Sequence, residues 1–457
     1  MASKSGIDMT NGALLPKMLV FALPLMASSI MQLLFNASDI AVVGHFGSEH
    51  SLAAVGSTTT LINLLTNFFI GLTIGTNVCA SLCLGANDYK RLARVVHTSV
   101  ALGVCSGLFS ATFGFIFAER ILVLMQTPEA VLPLSLQYTR IYFFGMIPTA
   151  VYNFGAALLY AKGDTRRPLL FLIISGVINV VLNLVFVIVF HMDVAGVALA
   201  TVIAQSVAAT LVLLCLIRQR SPIRLYLGAV RLNSEIALKI LKLGIPAGFQ
   251  GIVFSLSNLV IQASVNGFGP VYMAGSAASQ NIEQFVWVSM NSFQPTATTF
   301  ISRNIGAGKY ERINKIKNRA LGCAFMMGII LGFLAVSFGT ALLSVYTDNP
   351  ETIAAGMLRL HIVCGTYAIC GMMDTMTGVL RGLGASLGPA LISLAGACGL
   401  RLLFIATVFQ ISEFHTFQWL FASYPLSWIV TLAALFIYFI FVRRRYPLQS
   451  EAGAVAA

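Results

Sequence analysis

Apolar runs of bilayer length recur along this chain with almost no charge inside them, and that pattern is incompatible with a water-soluble fold. The runs fall near residues 17–43, 52–84, 93–117, 135–160, 168–190 and 194–217, then near 239–266, 271–302, 316–343, 356–380, 388–411 and 417–442. A helical span needs about 20 apolar residues, so each run suffices, and those beyond about 25 predict tilted or bent helices. Composition supports this at one point: 10% of the residues are charged, against roughly 25% in a soluble domain. Too little polar surface exists to face water, and a bilayer is the natural solvent. The expected fold is an all-α membrane protein of about twelve transmembrane helices.

The charges that do occur are sorted. Alternate loops hold Lys90, Arg91 and Arg94, then Lys162, Arg166 and Arg167, then Arg218, Arg220, Arg224 and Arg231. The series continues with Arg303, Lys309, Arg312, Lys315, Lys317 and Arg319 and ends with Arg443, Arg444 and Arg445. Only Arg120, Arg140, Arg359 and Arg401 fall off this side. Such asymmetry predicts basic loops and both termini in the cytoplasm. An odd number of helices breaks the alternation.

The two halves repeat. Gly85-Ala86-Asn87-Asp88-Tyr89-Lys90-Arg91 matches Gly306-Ala307-Gly308-Lys309-Tyr310-Glu311-Arg312 at an offset of 221, and Leu159 to Pro168 matches Leu380 to Pro389 at the same offset. Gly44-His45-Phe46-Gly47 matches Asn266-Gly267-Phe268-Gly269, and Leu23-Pro24 matches Ile245-Pro246, both at 222. The expected division is an N-terminal six-helix lobe over 1–217, a cytoplasmic linker over 218–238, a C-terminal six-helix lobe over 239–442 and a cytoplasmic tail over 443–457. Six helices per lobe give both lobes one orientation, related by a pseudo-two-fold axis along the membrane normal with a cavity between them. A cavity built from internal repeats permits a working monomer.

Several functions lose their footing. The eight cysteines form no CxxC pair and lie in apolar stretches, which reads as reduced packing residues. The histidines form no HExxH or metal-ligand cluster. Gly306-Ala307-Gly308-Lys309 lacks the first glycine and the Ser/Thr of a phosphate loop, at Arg303 and Tyr310. No catalytic constellation, cofactor motif or nucleic-acid partner is expected. The start of the chain is polar to about Gly12 and the first apolar run is a full span, so no cleavable signal is expected. With no segment long enough for an ATPase domain, transport has to draw on an ion gradient.

Ionisable groups inside a bilayer are costly and mark functional positions. Asp39 in the first run, Glu283 in the eighth and Asp374 in the tenth qualify, with Arg401 in the eleventh as the lone deep base. Gln32, Asn36 and Asp39 share one helical face. Asn179 and Asn183 stand one turn apart in the fifth run, with Asn153 in the fourth and Thr201 and Gln205 in the sixth. A carboxylate among amide oxygens and a hydroxyl is equipped to hold a proton or a sodium ion. The plainer alternative is a set of interhelical hydrogen bonds that fix packing. In the eighth run Gln280, Glu283, Gln284, Trp287 and Asn291 form a polar and aromatic stripe, suited to a cationic aromatic ligand. Asp374 has Arg401 as its prospective structural ion partner. Pro24 and Pro246 occupy matching repeat positions, where each is expected to kink its helix.

Asp39-Ile40-Ala41-Val42-Val43-Gly44-His45-Phe46-Gly47, Leu52-Ala53-Ala54-Val55-Gly56, Gly85-Ala86 before a basic loop and Leu380-Arg381-Gly382-Leu383-Gly384, taken with the six-helix repeats, resemble the multidrug and toxic compound extrusion (MATE) family, on its DinF-like or MepA-like side. The resemblance implies two six-helix lobes that alternate in access and export cationic or amphipathic compounds against proton or sodium entry. In DinF-like members the aspartate matching Asp39 couples transport, with partners that map to Asn179, Asn183 and Thr201, and a responsive proline that maps to Pro24. Some relatives carry aspartate where Asn183 stands, so this chain has one titratable group fewer. An acid resembling Glu283 serves drug transport in MepA-like members. The NorM-like cation site uses an acid in the seventh run, and that run has none here.

The reading is a cation-coupled multidrug antiporter, not an enzyme, in a cell membrane of the bacterial inner-membrane type. Its partners are small organic cations or amphipathic drugs and membrane lipids. Two other classes are a lipid-linked saccharide flippase of related architecture, which favours a strongly basic cavity, and a channel or receptor, which the duplicated halves with unequal polar stripes disfavour.

Overall fold

A computed structural model describes residues 6–48, 50–125 and 127–446. The expected tail beyond Tyr446 lies outside the described residues. Every regular element of the described chain is a helix, with no strand among those residues. The first half runs α1 (Leu14–Phe46), α2 (Ser51–Gly85), α3 (Tyr89–Leu124), α4 (Leu132–Phe144), α5 (Met146–Lys162), α6 (Arg166–Leu184, continued by a π-helical turn over Val185–Val189) and α7 (Asp193–Arg218). The second half runs α8 (Ser234–Asn266), α9 (Pro270–Asn291), α10 (Phe293–Gly306), α11 (Arg312–Ser337), α12 (Gly339–Leu343), α13 (Pro350–Gly382), α14 (Leu387–Ser393, then a π-helical stretch over Leu394–Gly399), α15 (Leu400–Ala406) and α16 (Phe417–Arg443).

All twelve expected runs are helical. Ten spans are apolar and long enough to cross a bilayer, and the pair α4 and α5, bent by 42°, makes an eleventh. The run expected at 271–302 is α9 and α10, which does not join them. Its polar stripe through Gln280, Glu283, Gln284 and Asn291 lowers its apolarity, so it falls outside a count made on length and apolarity alone.

The repeat is written into the turns. Asn87 and Gly308, equivalent by the sequence offset, both hold the left-handed conformation, at φ 55° and 69°. Gly163 and Gly384 do the same at 95° and 81°. Glycine adopts that region without steric cost and asparagine tolerates it better than most residues. Pro24 and Pro246 lie inside α1 and α8. Pro148 and Pro295 instead fall in the first turns of α5 and α10, just after breaks at Gly145 and Ser292, where a missing N–H costs little.

Two compact units result. One holds Ala27–Gly248 with the described residues up to Asp8, and the other holds Met9–Met26 with the residues from Phe249 on. These units differ from the lobes expected at 1–217 and 239–442, because α1 and α8 each contribute to both. In the first unit the backbone of α8 approaches α2 so closely that Gly71 meets Gly248, and Gly75 meets the carbonyl of Ile240. Any larger residue at either glycine collides with main chain. In the second unit Phe21 of α1 stands edge-on to Phe300, centroids 5.6 Å apart, and Ala22 packs with Phe293 and Ala324. The 218–238 linker is also packed. Ile223 and Leu225 are buried in the first unit's core, and the backbone N–H of Tyr226 donates to His97 Nε2 at 3.2 Å.

Hydroxyl groups dock α9 and α10 onto α13 in the second unit. Ser279 donates to the Gly356 carbonyl at 2.8 Å, Thr298 to Gly378 at 2.8 Å and Ser302 to Gly382 at 3.1 Å. Glycine on α13 lets those backbones come near, the usual way helices associate in lipid. This packing fixes which face of α9 turns inward, and so decides the surroundings of Glu283.

Candidate functional site

In the first unit the ring of Phe35 occupies the space above Gly176, where a Cβ would overlap it. That close fit brings α1 against α6. One turn further along, Asp39 meets the amides of α6: Asn183 Nδ2 donates to Asp39 Oδ1 at 2.5 Å. Thr201 of α7 approaches Oδ2 at 3.4 Å, and Asn179 Nδ2 donates to the Thr201 hydroxyl at 3.2 Å. Asn183 Nδ2 also reaches Asn179 Oδ1 at 3.4 Å. Four of the expected ion-coupling residues thus form one hydrogen-bonded cluster.

The other three do not join it. Gln32 and Asn36 are exposed on α1, and Asn153 donates to the Thr149 carbonyl of its own helix at 2.9 Å. Sharing a helical face with Asp39 did not bring Gln32 and Asn36 to it, because only the turn that packs on α6 is covered. Tyr138 and Tyr142 of α4, which the sequence reading passed over, lie within electrostatic range of Asp39. No pattern of polar spacing pointed to them.

Asp39 has only neutral hydrogen-bond partners, and no cation lies within 4.0 Å of it among the described residues. Beside it the side-chain oxygen of Asn183, fully buried, has no hydrogen-bond partner among the described residues. A buried acceptor left open is costly unless something else satisfies it. The carboxylate, the two amide oxygens and the hydroxyl are hard oxygen donors, the kind that suits a small hard cation or a proton.

The second unit's acids are arranged differently. Glu283 is 3% exposed and locked to Arg359 of α13, whose Nε and Nη2 donate to the two carboxylate oxygens at 2.7 and 2.8 Å. Arg359 also donates to Ser276 and lies over the Phe421 ring, 4.7 Å from its centroid. This corrects the expected ligand-facing stripe. On α9 the inward face carries Gly275, Ser276, Ser279, Ile282, Glu283, Val286 and Met290. Gln284 and Trp287 turn to the exposed side, while Gln280 and Asn291 are partly buried. Glu283 is therefore buried against α13, while Trp287, one turn along the same helix, stays exposed. Arg359 was the missing signal: it is one of the few arginines off the basic side of the membrane.

The expected Asp374–Arg401 ion pair is not among the ion pairs of the described residues. Asp374 Oδ2 instead accepts from the Trp287 indole at 3.3 Å, and Arg401 Nε donates to Ser427 at 3.0 Å. Neighbouring aromatic side chains offered each a different partner. Nor is Arg401 the lone deep base, since Arg359 and Arg381 are buried as well.

The chain matches the MatE family over residues 24–185 and again over 246–407. The second match begins and ends 222 residues after the first, as the repeat requires. A probable multidrug resistance protein of Bacillus subtilis strain 168, YoeA, is 28% identical over 441 residues, covering 94% of each chain. A second from that organism, YpnP, is 28% identical over 87% of this chain and 89% of its own length. The multidrug export protein MepA of Staphylococcus saprophyticus is 22% identical over 85% and 86% of the two chains. Among solved structures, an outward-facing MATE transporter of the MOP superfamily superposes with a TM-score of 0.88 at 18% identity, covering 98% of both chains. The Vibrio cholerae MATE transporter VcmN superposes at 0.87 with 20% identity over 95% of this chain and 98% of its own. With the family's repeat matched twice and its fold reproduced along the whole length, this chain belongs to the MatE family of multidrug efflux transporters.

Proposed function

We propose that this protein exports cationic or amphipathic organic compounds in exchange for protons or sodium ions, with Asp39 as the group that takes up and releases the coupling ion. The observation that carries this reading is the setting of Asp39: a membrane-embedded acid held by Asn183 and Thr201, with no cationic partner within 4.0 Å among the described residues. An acid so placed changes its charge without breaking an ion pair. Proton uptake or sodium binding at Asp39 alters its bonds to α6 and α7, and Pro24 in the same helix, which lacks a backbone N–H, supplies a weak point in α1 for that change to act on. The names of the relatives, multidrug resistance and multidrug export proteins, support drug-like cargo. On the substrate side, the exposed Trp287 indole beside Asp374 offers the acid and aromatic face first expected around Glu283.

The deciding experiment is efflux of a fluorescent organic cation from proteoliposomes under an imposed proton or sodium gradient. Export driven by one of these gradients, and lost in Asp39→Asn, is expected. Wild-type rates in that variant, or efflux indifferent to both gradients, remove Asp39 coupling. The distribution of basic residues supports a bacterial inner-membrane orientation with the 218–238 segment and both termini in the cytoplasm. With the eight native cysteines replaced by serine or alanine, a single cysteine placed by Arg224→Cys is then expected to resist an impermeant thiol reagent applied to intact cells and to react once the membrane is opened. Reaction in intact cells reverses the orientation.

A further inference from the structure

The second compact unit buries more arginine than acid. Arg359, Arg381 and Arg401 are 5%, 4% and 3% exposed. Arg359 is saturated by Glu283, and Arg381 donates to the amide oxygen of Gln250 at 2.8 Å. Asp374, the other acid of these helices, is partly buried and bonded to the Trp287 indole; it lies within electrostatic range of Arg381 and Arg401 but pairs with neither. Arg401 is left with one hydrogen bond, from Nε to Ser427. Among the described residues no carboxylate lies within 4.0 Å of it, and its terminal amino groups donate to no protein atom.

Arginine stays charged in a protein. A charge without a directly paired carboxylate inside a membrane-spanning helix is expensive, and such residues mark ligand or ion paths. The guanidinium stacks on Tyr424 at 4.0 Å from the ring centroid and lies 5.6 Å from that of Trp428. Those contacts offset part of the cost, but they leave the edge of the fork that pairs with carboxylates unused. Tyr424 and Trp428 meet edge-to-face at 5.7 Å, and Tyr367 leans on Trp428 at 5.6 Å, so the cation is walled by aromatic rings.

We propose that Arg401, with Ser427, Tyr424 and Trp428, forms an anion-recognising subsite that takes the carboxylate of an aromatic organic acid. The planar guanidinium matches a carboxylate in two parallel hydrogen bonds, and the rings receive the acid's aromatic body. A bare inorganic anion satisfies the charge but leaves the rings idle. The inference rests on the export reading only in regarding the acid as cargo. Its test is binding without any gradient, so the two fail independently.

The measurement is titration of the purified full chain in nanodiscs with 2-naphthoate and with its uncharged methyl ester. The wild type is expected to bind naphthoate about tenfold or more tightly than the ester. In Arg401→Gln the preference is expected to vanish while ester binding persists, and Arg401→Lys, a point charge, is expected to keep part of it. Equal affinity of the wild type for acid and ester overturns the proposal, whatever the variants do. So does a preference that survives in Arg401→Gln, or displacement of naphthoate by equimolar chloride.

Discussion

Asp39 in the first compact unit and Glu283 in the second are both acids on membrane-embedded helices, yet their neighbours give them opposite capacities. Asp39 is held by an amide and a hydroxyl, beside an amide oxygen with nothing bonded to it among the described residues. Glu283 is gripped at both oxygens by one guanidinium. Neutral partners tolerate the acid in either charge state, because neither state leaves a buried countercharge behind. A bidentate arginine does not, since protonating Glu283 would strand Arg359 without its ion. The difference teaches that burial alone does not make an acid a coupling site. What matters is whether its partners survive its neutralisation.

Substitutions can break or sharpen this contrast. Asp39→Asn is expected to have the largest functional effect: gradient-driven export falls to background while the folded yield stays close to wild type. The amide keeps the shape and some hydrogen bonds but cannot cycle charge. Thermal stability of the purified variant separates this outcome from misfolding.

Glu283→Ala comes next and acts on stability. Leaving Arg359 buried and unpaired is expected to cost about 3–5 kcal/mol, read as a lowered melting temperature in detergent. Adding Arg359→Met to it removes the stranded charge and is expected to restore most of that loss together with export. If the double variant is stable but inactive, Glu283 works in transport and the contrast drawn here fails.

Asn183→Leu tests the cluster around Asp39. It removes a hydrogen bond to a charged group, worth about 1.5–3 kcal/mol, and also the unsatisfied oxygen. Half-maximal export is expected to require about tenfold or more of the coupling ion. Thr201→Val addresses the longer 3.4 Å contact and is expected to shift the same requirement only a few-fold, about 0.5–1.5 kcal/mol. Were Thr201→Val the more damaging of the two, the hydroxyl rather than the amide would be the main partner of Asp39.

Much of this architecture was legible in the chain itself. Apolar runs located every helix because backbone satisfaction in lipid leaves a long apolar segment few choices. The repeat anticipated turn geometry, since Asn87 and Gly308 take the same left-handed conformation. Asp39, Asn179, Asn183 and Thr201 were legible as a set through their residue types and the family pattern. Helix periodicity shows which residues share a face, but not which neighbour covers that face. Gln32 and Asn36 share the Asp39 face and remain exposed. Glu283 found its partner 76 positions away on α13, and Asp374 took an indole in preference to Arg401. Those outcomes depend on helix rotation and on close approach at Gly176, Gly275 and Gly356. The sequence by itself determined the membrane solvent, the duplication and the acids. Only the tertiary structure decided which acid is ion-paired and which has neutral partners, because an acid's partners come from helices that meet only once the chain is packed.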